Sequence, residues 1–192
     1  MRSSYKKNNY GKLFEALASI YQPNLVVELG VLDGYSLLSL ARASAAARVV
    51  GIDLFDEYEH NHGTVESIYD EAWSEQIGNI ELIHKDAYEA FKDFDDESVD
   101  ILHIDISNDA VQLEKLIALW YSKVRFDGLI LFEGGSIERD QVEWMKKYNK
   151  LPVSPWKPNL RELFCLEYVT IPIFPSLTIC RKICKNESLE IE

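Results

Sequence analysis

The chain lacks several things, and each lack removes a class of protein. Only 3 of its 192 residues are cysteine and 4 are histidine. Cys165, Cys180 and Cys184 form an odd set, late in the chain, with no metal-ligand spacing elsewhere. That pattern predicts reduced thiols and a cytoplasmic setting, and the four-residue step from Cys180 to Cys184 is not a zinc pair by itself. No apolar run approaches the roughly 20 residues of a spanning helix, and the polar start "MRSSYKKNNYGK" has no apolar core behind it, so neither membrane span nor secretory leader is expected. Cations are scarce as well: 20 Lys and Arg stand against 32 Asp and Glu, a net charge of −12. Such a surface repels nucleic acid and anionic membranes and favours a small-molecule partner. Repeats, low-complexity blocks and dividing linkers are also missing, so a single domain is expected over residues 1–192.

What is there alternates. Hydrophobic residues at 47% and charged ones at 27% fit a globular chain with a sizeable core. "YGKLFEALASIYQ" carries Leu13, Phe14, Leu17 and Ile20 at helical spacing. "NLVVELG" and "RVVGIDLF" are short valine-rich runs of the kind buried in parallel sheets, and "SLLSLARASAAA" between them is helical. A helix is expected from Val65 to Ile77. "NIELIHKDA" and "SVDILHIDIS" supply a third and fourth strand. Asp109 is placed to cap a helix whose apolar side is Val111, Leu113, Leu116, Ile117, Leu119 and Trp120. "FDGLILFEGG" reads as a turn at Asp127–Gly128 and then a fifth strand, and "IERDQVEWMKKYN" as a helix. Two more strands, broken near Pro172 and Pro175, close the sheet antiparallel. The fold class is therefore α/β: a Rossmann-like, doubly wound, seven-stranded sheet, mostly parallel, with its ligand site at the carboxyl ends of the strands.

The polar residues of interest fall at those ends. In "VVELGVLDGYS", Gly30 and Gly34 bracket the turn from the first strand into its helix, near Ser36, where bare backbone and free N–H groups can meet a ligand. The spacing is G-x-x-x-G, not the G-x-G-x-x-G of dinucleotide binders. Glu28 and Asp33 would repel a pyrophosphate and attract a cation. Asp53, about 20 residues past the turn, is placed for the hydroxyls of a ribose, beside Leu54. Asp86, next to Ala87, could meet an adenine amino group. An adenosine with a positively charged, amino-acid-like appendage fits these features better than NAD does.

The order of "VVELGVLDGYS", "VVGIDLF", "IELIHKDAYEAF", "VDILHIDIS" and "GLILFEGG" resembles the successive motifs of class I S-adenosylmethionine-dependent methyltransferases, over about residues 24 to 135. The resemblance implies a leader region over 1–23, a cofactor-binding core over 24–135, a helix and strand pair over 136–185 and a tail. It also implies S-adenosylmethionine as cofactor. Glu28, Gly30 and Gly34 would then surround the methionine part, with Ser36 adjoining. Asp53 and Leu54 would hold the ribose, Asp86 and Ala87 would border the adenine, and Asp105 would face the transferred methyl. "ILHIDISND" is similar to a bacterial branch of O-methyltransferases that act on sugars and other small molecules, some with a divalent metal. Here Ile106, Ser107 and Asn108 replace that branch's Gly, Asp and His, and Glu133–Gly134 replaces its paired aspartates. A metal on Asp105, Asn108 and Glu133 is chemically admissible but not favoured.

Methyl transfer needs alignment of donor and acceptor and removal of a proton where one must leave. Asp105, His103 and Glu133 are the candidate catalytic groups. A binding protein of the same fold without turnover is the first alternative, and a nucleotide-dependent oxidoreductase the second. His60 and His62 are read as solvated loop residues, Trp156 and Lys157 as a surface crossing or pocket wall. Tyr88 and Lys92, although spaced Y-x-x-x-K, lie too early for dehydrogenase chemistry.

Overall fold

Seven apolar runs become β1 (Leu25–Leu29), β2 (Arg48–Asp53), β3 (Ile80–His84), β4 (Val99–Ile104), β5 (Val124–Glu133), β6 (Leu166–Ile171) and β7 (Leu177–Lys182). They form one sheet in the order β3-β2-β1-β4-β5-β7-β6, in a computed structural model that describes residues 3–55 and 63–186. The β1–β2, β2–β3 and β4–β5 pairings are parallel, and β7 runs antiparallel to both β5 and β6. The mostly parallel sheet closed by antiparallel strands is thus the one the sequence predicts. His60 and His62 lie outside the described residues. The chain divides into two compact units, Met1–Ala90 and Phe91–Glu192.

In the first unit, β1 and β2 are buried along most of their length while the outer β3 is half exposed. Gly51, in the middle of β2, leaves room that three neighbours use. A Cβ there would lie 2.8 Å from Val31 and 3.0 Å from both Leu37 and Leu82, closer than packed carbons approach. The helices are α1 (Ser4–Lys7), α2 (Gly11–Tyr21), α3 (Tyr35–Ala43), α4 (Val65–Ser74) and α5 (Ala87–Ala90). Helix α2 buries Gly11, Phe14 and Ala18, and Phe14 meets Tyr5 edge-on at 5.1 Å. Ile20, expected on that apolar side, is 84% exposed, because helical periodicity places it on the face opposite the buried Gly11, Phe14 and Ala18. Helix α4 starts with a reciprocal cap between Thr64 and Ser67 and ends three residues earlier than the spacing suggests.

In the second unit every residue of β4 is buried. Asp109 caps α6 (Ala110–Trp120), accepting the N–H groups of Val111 and Gln112, and Leu113, Leu116, Ile117 and Trp120 are buried as expected. Val111 is not; it is 44% exposed. The Asp127–Gly128 turn does not precede β5 but lies within it. Asp127 adopts φ of 63°, and the register jumps from Val99↔Val124 to Ile101↔Leu129. The helix read over "IERDQVEWMKKYN" is two, α7 (Ile137–Asp140) and α8 (Glu143–Lys147), because Val142 is extended. Helix α9 (Pro158–Phe164) starts on a proline, which its first turn tolerates.

The thiol expectation is corrected. Cys165 and Cys184 form a disulfide with Cα atoms 5.8 Å apart, because the antiparallel β6–β7 pairing brings their flanks together. Cys180 is free and buried, and burial pushes its thiol pKa up. The step from reduced thiols to the cytoplasm therefore loses its premise. Lys182 is fully buried. Its Nζ donates to the carbonyls of Tyr121 and Val124 and to Asn186, and sits 4.2 Å from the Tyr121 ring centre. Burial outweighs the attraction of the Glu97 and Asp96 charges and lowers its pKa to about 8.

Candidate functional site

The first group of candidate residues surrounds the turn from β1 into α3. Gly30 and Gly34 both have positive φ, 88° and 78°, and Gly34 is the left-handed residue from which α3 starts. A side chain at either position would be strained. Glu28 is fully buried, and its Oε1 accepts the Ser36 hydroxyl at 3.0 Å. Asp33 accepts the N–H groups of Ser3 and Tyr35. With Asp53, three carboxylates thus hold to this turn. Gly63 presses on the same turn, where a Cβ would fall 1.8 Å from the Leu32 carbonyl oxygen.

Asp53 is more committed to its own chain than its sequence position suggests. Its Oδ2 accepts the N–H groups of Val31 at 2.6 Å and Leu32 at 3.2 Å, and its Oδ1 accepts that of Phe55 at 2.8 Å. A carboxylate offers about four lone-pair sites, so at most one remains for a ligand hydroxyl. This acid braces the glycine turn. The signal was available, since a turn with two positive-φ glycines leaves amides that some acceptor must satisfy. Leu54 is half-buried beside it. Asp86 is exposed and starts α5. Its Oδ1 accepts the Tyr88 N–H, and its carbonyl accepts those of Glu89 and Ala90, while Ala87 is buried.

The second group belongs to the ends of β4 and β5. His103 is fully buried within β4, opposite Leu131 in the register, and Asp105 is half-buried just past the strand. Glu133 ends β5. Its Oε1 accepts Asn108 Nδ2 at 2.8 Å and Arg139 Nε at 2.7 Å, with Arg139 Nη2 also at 2.7 Å. All three side chains are nearly buried, so this is an ion pair with little solvent screening. A cation and an amide thus engage Oε1 of Glu133. Among the described residues no group of three or more His, Cys, Asp or Glu is arranged around a common metal position.

Three residues missed by the sequence reading join this group. Arg139 Cζ lies 5.6 Å from the Trp144 ring centre, Lys150 Nζ lies 5.5 Å from it, and Lys150 donates to Ser107 at 2.9 Å. The only hint was the run of cations and aromatics through "RDQVEWMKKYNK". Trp156 and Lys157 are partnered: Trp156 Nε1 donates to Glu114, and Lys157 Nζ donates to Thr170. Lys92 lies over the ring of Phe91, 5.7 Å from its centre, and the Tyr88 N–H donates to Asp86.

Among solved structures, a methyltransferase from Geobacter sulfurreducens is 19% identical with a TM-score of 0.66, covering 94% of this chain and 84% of that one. The O-methyltransferase TomG from Streptomyces achromogenes, involved in tomaymycin synthesis and solved with S-adenosylmethionine, is 15% identical with a TM-score of 0.70, covering 94% and 86%. The S-adenosylhomocysteine-bound methyltransferase PaMTH1 from Podospora anserina is 15% identical with a TM-score of 0.70, covering 96% and 80%. At these identities the likeness is one of fold. No curated protein matches the chain by sequence. The methyltransferase domain family model matches residues 27–133, from β1 to the end of β5 and more than half of the chain, so this protein belongs to the methyltransferase domain family.

Proposed function

We propose that the protein is a single-domain S-adenosylmethionine-dependent methyltransferase that passes a methyl group to a small acceptor, at oxygen. The observation that carries this reading is the acidic glycine turn: Glu28, Asp33 and Asp53 around Gly30 and Gly34, within a chain of the methyltransferase domain family. A sulfonium with an amino group is cationic and gains from such a turn, whereas a pyrophosphate loses. The residues present suit that cofactor. Glu28, held by Ser36, is placed for the positively charged end. Gly30 and Gly34 keep side chains off the turn, Asp53 and Leu54 would adjoin the ribose, and Asp86 and Ala87 the base. When bound, the cofactor would supply an electrophilic methyl group.

The acceptor chemistry falls to the chain. Asp105, half-buried beyond β4, is the group we assign to take the acceptor's proton, with His103 two residues before it in β4. Glu133 is assigned a positioning part, since Arg139 and Asn108 hold its Oε1. That engagement is also what favours the second reading, a donor-binding protein without turnover, because it commits one oxygen of a candidate acid to a cation.

Titration calorimetry with S-adenosylhomocysteine and with NAD tests the cofactor. Saturable binding of the first and none of the second is expected; the reverse overturns the proposal. Incubation with methyl-labelled donor and a panel of phenols and sugars separates the two readings. Labelled product supports the enzyme, and donor binding with no product for any acceptor supports the binding protein.

A further inference from the structure

We propose that the acceptor carries an anionic group, a carboxylate or a phosphate, beside an aromatic or similarly flat body, and that Arg139, Trp144 and Lys150 receive it. This rests on the methyltransferase reading above and deepens it by naming the acceptor's chemical class.

The chain is strongly acidic, yet Arg139, Lys146, Lys147 and Lys150 fall within twelve residues of one another. Three contacts fold this stretch against the end of β4. Lys150 Nζ donates to Ser107, the Leu151 N–H donates to Asp109 at 2.9 Å, and the Ala110 N–H donates to the Leu151 carbonyl at 3.2 Å. The Asn108–Glu133–Arg139 bonds fix the guanidinium at the end of β5. Two cations from either end of this stretch thereby meet at one indole ring, Arg139 at 5.6 Å and Lys150 at 5.5 Å. Tyr148 adds a second ring, 5.6 Å from Trp144 between centres.

Hydrogen-bonding capacity is left over. Among the described residues, Glu133 takes Nε and Nη2 of Arg139, and Nη1 donates to no other group. Lys150 has three N–H donors, and Ser107 takes one. Asp140, which also lines this region, has both oxygens held by backbone amides, the Val153 N–H at 2.8 Å and the Ser154 N–H at 2.9 Å, and neither cation donates to it. A cleft of about 460 Å³ lies alongside, lined by Asp140, Met145, Lys146, Asn149, Lys150 and Leu151. A planar guanidinium with a free edge, a mobile ammonium and a ring between them match an oxyanion attached to a flat body. A neutral sugar would leave Arg139 Nη1 and the Lys150 ammonium without an anionic partner.

The test uses the whole chain and tryptophan fluorescence, with 4-hydroxybenzoate, 4-hydroxybenzamide and phenyl phosphate as probes. At least one anion should quench emission with an affinity tenfold or more above that of the amide. The benzoate leading points to a carboxylate acceptor, and phenyl phosphate leading points to a phosphate. Lys150→Gln should cut the anion's affinity at least fivefold and leave S-adenosylhomocysteine binding unchanged. Trp144→Phe should abolish the quenching signal, which assigns it among the four tryptophans. Equal binding of amide and anions, or unaltered anion affinity in Lys150→Gln, would overturn the proposal. Failure of the homocysteine compound to bind the unmodified protein would strike the donor reading instead and leave the anion preference as measured.

Discussion

Replacing Asp53 separates a brace from a ligand contact. Asp53→Ala removes the acceptor of three backbone N–H groups, at 2.6, 3.2 and 2.8 Å. Hydrogen bonds to a charged acceptor contribute about 1.5–3 kcal/mol each, but they share one carboxylate and water can replace part of them. Phe55 and Val31 are 1% and 2% exposed, so water reaches little of either residue. The sum should be about 3 kcal/mol of folding stability. Asp53→Asn keeps one oxygen for Val31 and Leu32 but presents an amide NH₂ or a rotated oxygen to the remaining donor, and should cost about 2 kcal/mol. Urea denaturation read by tryptophan fluorescence gives the stabilities, and calorimetry with S-adenosylhomocysteine gives donor affinity on the folded variants. The order wild type, Asn, Ala should hold in both. Full stability in Asp53→Ala with donor binding abolished would refute the brace and return the carboxylate to the ribose alone.

Arg139→Gln should destabilise by about 3–5 kcal/mol, because it strands the buried Glu133 carboxylate, whereas Glu133→Gln with Arg139→Gln should cost less than the single Arg139 change. A denaturation cycle with additive costs would contradict the pairing. The Lys182 ammonium is costly to bury below its folded pKa of about 8, and an unfolded lysine keeps its proton to about 10.5. Between those values the unfolded chain binds more protons, so stability should rise with pH. Measured against Lys182→Met, a difference that is flat or falls from pH 8 to 10 would contradict the burial argument. Reducing the Cys165–Cys184 bond, which spans 19 residues, should lower stability by about 3 kcal/mol. Thiol reagent should find no reactive Cys180 until urea unfolds the chain; reaction under native conditions would contradict its burial.

The strands were legible because burial on both faces leaves unbroken runs such as "LVVEL" and "VDILHI", which polar solvent would not tolerate. The Asp109 cap was legible because its geometry is local. Breaks decided by tertiary contact were not: Val142 splits α7 from α8, and Asp127 folds inside β5. Asp53 was placed at the correct strand end, but its partners are amides 21 and 22 residues away, a pairing that exists only after β1 and β2 align. Glu133 and Arg139 are six apart in sequence, yet their pairing depends on how the chain turns after β5. The Arg139–Trp144–Lys150 grouping likewise depends on Leu151 docking against Asp109. Long-range closure hid these side chains, while periodicity and strand ends revealed the scaffold.

Gly51 ties the back of the sheet to the turn. Its missing methyl group is the space that Val31 enters, and Val31 carries one of the amides that Asp53 holds. An alanine there would push on Val31 from below and unsettle the glycine turn without touching any ligand. Variation in donor affinity could therefore arise from a residue with no chemistry at all, through the shape of one empty corner.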